Sequence, residues 1–148
     1  MPYGFIQSAN TLDLSPRIGT SSTVVGSPAA AAETVVCQIV GLDGQLSAAL
    51  GVFLSGVASF TVGTTGTAIT LRIRTGITAG AGTVVASSGA ITGGIAATNL
   101  VSQDLQGFDT AAAGGAAIAS TSYCLTLQVT GGSAPSSVSQ TNLVALII

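Results

Sequence analysis

Few side chains in this sequence could do chemistry. Of 148 residues, five are acidic (Asp13, Glu33, Asp43, Asp104, Asp109) and three are basic (Arg17, Arg72, Arg74). Two cysteines, Cys37 and Cys124, complete the set, and there is no histidine or lysine. A serine or cysteine nucleophile needs a base within hydrogen-bond reach, and the usual bases, His and Lys, are missing. A phosphate loop needs its lysine, so the glycine-rich GITAGAGT at 76–83 reads as a loop and not a cradle. A zinc site needs about four ligands at short spacing, which two cysteines 87 positions apart do not supply.

Two local pairs remain. DLQGFD places Asp104 and Asp109 close in sequence, with Gly107 permitting a tight turn. The sharper reading is a calcium loop or a carboxylate pair for glycoside hydrolysis. Calcium wants several carboxylates, and carbohydrate sites usually offer aromatic platforms. The expectation is therefore a solvated turn, with no metal and no cofactor. Arg72 and Arg74 stand two apart, hence on one face of one strand. They line a wet strand face, or bind an anion, or face carboxylates such as Asp104 or Asp109 in the same subunit or the next. Bidentate contacts of the last kind would fix register between chains. Cys124 alternates with Ser122, Thr126 and Gln128, whereas Cys37 shares a face with Val35 and Ile39, so free thiols are expected over a disulfide.

The elements that position these residues follow from composition and period. Ala, Gly, Thr and Ser make up 79 of the 148 residues, and the net charge is −2 at pH 7. Val, Leu, Ile and Phe still supply 42 residues, enough for one core. Three scattered arginines exclude nucleic acid as a partner, because phosphate binding needs clustered cations. A mean hydropathy of +0.72 raises the question of a membrane. The best span, Leu46 to Val62, is broken by Gly51, Gly56 and four hydroxyl residues and has no flanking basic cluster, so no membrane partner is expected. The first residues, MPYGFIQSAN, carry no basic side chain of the kind that opens a secretory signal.

The chain divides near residue 32. Residues 1–32 form an extended N-terminal arm holding three of the four prolines. Within it Tyr3, Phe5 and Ile6 make the densest apolar anchor, and Leu12 with Leu14 offers a second contact at period two. Asp13 and Arg17 have helical spacing, but Pro16 disfavours helix at Ser15, so extended structure is expected. From Glu33 to Ile148 the pattern alternates with period two. Strands are expected at ETVVCQIV (33–40), GVFLSGVASFTV (51–62, one bent strand or two), AITLRIR (68–74) and TVVAS (83–87). A weaker strand over 99–105, SYCLTLQVT (122–130) and the closing VSQTNLVALII (138–148) complete the set. The last six residues are apolar on both faces, as in a strand covered on both sides. The fold class is all-β, a single jelly-roll-like antiparallel β-sandwich, with long connections expected around 75–82 and 106–117. Small residues act as thin spacers between its sheets.

The phrases GTTGTAITLRIRTG (63–76) and SYCLTLQVTGGSAPSSVSQTNLVALII (122–148), in a lysine-free body behind an extended arm, resemble small β-sandwich structural proteins of tailed-bacteriophage virions. Capsid decoration and other minor virion proteins are the nearest type. The resemblance covers most of the body and carries over no functional residue. It implies a non-enzymatic homo-oligomer, a trimer or similar, that attaches to a major capsid or other virion protein. Such a chain folds in the host cytoplasm before entering the virion. Tyr3, Phe5, Ile6, Leu12, Leu14, Arg72, Arg74, Asp104 and Asp109 are then the candidate interaction residues. Two other classes share parts of the pattern: a pilus or surface-fibre subunit assembling by strand addition, and a carbohydrate-binding module. The first expects a signal peptide and a closer cysteine pair, and the second expects aromatic platforms.

Overall fold

A computed structural model describes residues 17–18, 20–21, 32–42, 51–61, 68–91, 100–110, 122–130 and 137–148. Those residues hold nine strands and no helix: β1 (Arg17–Ile18), β2 (Thr20–Ser21), β3 (Glu33–Ile39), β4 (Gly51–Thr61), β5 (Ala68–Thr75), β6 (Val84–Ser87), β7 (Leu100–Thr110), β8 (Tyr123–Thr130) and β9 (Ser137–Ile147). They form a four-stranded sheet in the order β1-β9-β4-β7 and a five-stranded sheet in the order β2-β3-β8-β5-β6. Every pairing is antiparallel. The pairs β1·β9, β3·β8, β4·β7 and β5·β6 are nested, like successive rungs of one long hairpin. The pairs β4·β9 and β5·β8 close the winding, which makes the sandwich a jelly roll.

The alternation that predicts the strands also builds the core. Ile69, Leu71 and Ile73 of β5 and Leu125, Leu127 and Val129 of β8 are fully buried. They meet Val52, Leu54 and Phe60 of β4 and Leu143 and Ile147 of β9 from the other sheet. Small residues set the spacing between layers. A Cβ on Gly56 of β4 would lie 3.0 Å from the Leu125 side chain, and one on Gly107 of β7 would lie 2.9 Å from Ala86 of β6. Polar ties also cross the layers. A bulge between Val35 and Cys37 makes Val36 an extra residue in β3, and the carbonyl of Val36 accepts a 3.0 Å bond from the Thr141 hydroxyl of β9.

Several expectations need correction. Of the one bent strand or two expected over 51–62, Gly51–Thr61 forms one strand of eleven residues, and it pairs along its length with β7. Strand β7 runs to Thr110 instead of ending near 105. Gly107 lets its backbone pass close to β6, where a side chain would collide, so the local turn signal gives way to a packing demand. The loop expected over 76–83 is the hairpin between neighbours β5 and β6. Gly82 turns it at φ +73°, where a Cβ would meet the Thr75 carbonyl at 2.0 Å. Arg17–Ile18 and Thr20–Ser21, assigned to the arm, pair with β9 and β3, so that part of the arm belongs to the sandwich edges. The end of β9 is buried on one face only: Leu143, Ala145 and Ile147 are buried, whereas Val144 and Leu146 keep partial water contact.

Candidate functional site

The charged side chains of the five-stranded sheet converge on the outer face of β8. Alternation turns Thr126 and Gln128 away from the core, and the register sets Arg72 beside Thr126, Arg74 beside Cys124 and Glu33 beside Gln128. Glu33, on the far side of β8 from both arginines, is the centre. Arg74 donates to it twice, Nε to Oε1 at 2.6 Å and Nη2 to Oε2 at 2.9 Å. The Thr126 hydroxyl donates to the same Oε1 at 2.5 Å, and Arg72 Nη1 lies 3.6 Å from Oε2. Arg72 Nη1 also donates to Gln128 Oε1 at 2.6 Å. From the hairpin, the Gly82 carbonyl accepts from Arg74 Nη1 at 3.2 Å, so the turn that requires Gly82 also holds the guanidinium.

Little water reaches this cluster. The Glu33, Arg74 and Arg72 side chains are 9%, 13% and 22% exposed. Burial alone would raise the Glu33 pKa, but hydrogen bonds from Arg74 and Thr126, with the two positive charges, more than offset it and hold the carboxyl below its ordinary value. Arg74 moves the other way: its bonds to Glu33 raise its pKa against the cost of burial. The group stays ionised and internally bonded, which ties β3, β8 and β5 together. Of the three readings of the arginine pair, a wet face gives way to a largely covered one, and the reading with a facing carboxylate named Asp104 or Asp109. The carboxylate is Glu33, in the same sheet and the same subunit.

Neither cysteine is poised for chemistry. Both are free and buried. They lie in adjacent registers, Cys37 opposite Leu125 and Cys124 opposite Gln38, and point to opposite faces. The expected shared face of Cys37 and Val35 fails because the bulge intervenes. Burial raises the Cys37 thiol, and burial with the nearby Glu33 charge pushes Cys124 up to about 11. Both are neutral thiols near pH 7, the unreactive form.

The two aspartates do not form a turn. Both lie within β7, five residues apart, an odd separation that points them to opposite faces about 17 Å apart along the strand. Asp109 faces inward and accepts a 2.7 Å bond from the hydroxyl of fully buried Tyr123, tying the edge of one sheet to the centre of the other. Burial, then that bond and charge, raise the Tyr123 pKa strongly. Asp104 faces outward and is exposed. Such a pair cannot share a calcium ion or flank a glycosidic bond.

On the outer face of the four-stranded sheet the register lines up Leu146, Phe53 and Phe108. Phe108 is 46% exposed and lies over Gly51, where a Cβ would meet its ring at 2.2 Å. Ile148, bonded to Gly51 through both backbone groups, is 47% exposed at the same end. The next row holds Val144, Ser55 and Gln106, and the one after it Asn142, Val57 and Asp104. One end of this face is thus apolar and the other polar; the two-sided apolar reading of the last six residues marked part of this patch, but Phe53 and Phe108 were not singled out. The signal was present in FLSGV and LVALII, where apolar residues occupy both faces.

Tyr3, Phe5, Ile6, Leu12 and Leu14 lie outside the described residues. Among the described residues no helix is long and apolar enough to cross a membrane, and no group of three or more Cys, Asp or Glu is placed to hold a metal ion. No protein-family model and no curated protein matches the sequence.

Proposed function

We propose that this chain is a non-enzymatic structural subunit that associates with itself and attaches to a virion surface as a decoration or minor capsid component. The observation that carries the reading is the apolar end of the four-stranded sheet. Leu146, Phe53 and Phe108 form one outward row, with Ile148 beside it. Contiguous apolar surface of this kind marks a contact with another protein. The polar side chains agree with the reading. Glu33, Arg72 and Arg74 are bonded within the outer face of β8, Asp109 and Tyr123 bond to each other between the sheets, and the thiols are neutral, so these groups hold the fold.

The setting on a phage virion rests on the sequence resemblance, together with the use of jelly rolls in viral capsids. The fold part of that support is analogy, since jelly rolls also serve as lectins and enzymes. The contact surface faces a second copy or the major capsid protein, with no nucleic acid among the partners. Quantifying the chain in purified particles from producing cells tests this. Wild type should co-purify with particles, and Phe108→Glu, with its circular dichroism unchanged, should stay in the soluble fraction. Absence of wild type from particles, or normal incorporation of Phe108→Glu, would overturn the reading.

A further inference from the structure

The outer edge of β7 is a second feature, independent of the apolar row and of any virion setting. Among the described residues β7 pairs with β4 alone, and it ends the four-stranded sheet. It presents eleven residues in unbroken register, with no bulge, proline, lysine or arginine to deter another strand. Edge strands of soluble proteins are normally short, bulged or charged, because an open ladder invites pairing. Of its two carboxylates, Asp109 is turned inward and bonded to Tyr123. Asp104 is the one exposed charge on the strand.

We infer that β7 pairs antiparallel with β7 of a second copy across a two-fold axis, joining two four-stranded sheets into one of eight. Only registers that oppose residues of like parity keep the inner and outer faces aligned. Among these, the register centred on Leu105 engages all eleven residues. It sets Gln106 opposite Asp104 of the second copy and, by symmetry, Asp104 opposite its Gln106, so each carboxylate meets an amide donor. The register centred on Asp104 would bring two carboxylates face to face, and the one centred on Phe108 would engage five residues. The Leu105 register adds about ten to twelve backbone hydrogen bonds. A two-fold contact is self-complementary and closes on itself. It also leaves the opposite edge of the sheet, at β1, outside the seam.

Native mass spectrometry and sedimentation velocity of the full chain test this through charge at position 106. Gln106→Asp places carboxylates opposite each other twice and should raise the dimer dissociation constant about tenfold, with recovery at high salt. Gln106→Lys places an ammonium opposite each Asp104 and should tighten the dimer, and Asp104→Lys combined with Gln106→Asp should restore it. Position 106 is exposed, so the variants keep the wild-type circular dichroism. An odd-numbered oligomer indifferent to these substitutions overturns the β7 seam and leaves self-association standing. A monomer overturns both.

Discussion

Replacing Glu33 with Gln removes one charge from the cluster while keeping shape and one acceptor oxygen. Two guanidinium groups, 13% and 22% exposed, then lose the carboxylate that bonded one of them twice and lay 3.6 Å from the other. Breaking a buried ion pair on one side costs about 3–5 kcal/mol. Partial water contact at the arginines and the surviving acceptor bring the expected loss to about 2–3 kcal/mol. For a chain of this size that lowers Tm by about 4–12 °C. The assay is denaturant unfolding at fixed protomer concentration, with the midpoint falling and the slope unchanged. The same substitution predicts a pH dependence. The folded pKa of Glu33 lies below its ordinary value of 4.5, so its contribution is complete above that value and is lost as pH falls through the folded pKa. The gap between wild type and Glu33→Gln should therefore be full at pH 7 and shrink below pH 4.5. Replacing all three residues together, Glu33→Met with Arg72→Leu and Arg74→Met, should be close to neutral, because desolvation offsets much of the attraction. A Glu33→Gln protein within about 0.5 kcal/mol of wild type, or a gap that widens in acid, would refute this account of the cluster.

The two aspartates should separate cleanly by calorimetry. Asp109→Ala leaves the buried Tyr123 hydroxyl without its partner and should cost about 1–3 kcal/mol, whereas exposed Asp104→Ala should stay within about 0.5 kcal/mol. Equal losses would show that the Tyr123–Asp109 bond contributes nothing. Cys37 and Cys124 should resist a thiol reagent at pH 7.5 in the folded protein and react at once in denaturant, since both are buried and Cys124 is held near 11. Rapid labelling of either in the folded state would contradict that burial.

Strand positions and the sandwich were legible because period-two alternation reports directly on which side of a sheet is dry. AITLRIR and SYCLTLQVT put Ile69, Leu71, Ile73, Leu125, Leu127 and Val129 inward as the alternation predicts. What alternation does not report is which strands are neighbours. Glu33 meets Arg74 only because β3 and β5 flank β8, and winding the chain into a jelly roll brings residues 41 apart together. Nothing in the alternation singles out Glu33 over Asp104 or Asp109 as the partner of the arginines. Gly107 between two aspartates carries turn chemistry, yet it is kept in β7 by the close approach of Val85 and Ala86 across the layers. Cys124 and Thr126 point outward as read, but both are fully buried, Thr126 bonded to the Glu33 carboxylate. An outward position need not be a wet one.

Self-association is the central claim, and the molar mass of the full chain in solution tests it most directly. Size-exclusion chromatography with multi-angle light scattering at neutral pH should return a whole multiple, two or more, of the 14.2 kDa chain across the loading range. A mass of one chain at every concentration would contradict the account.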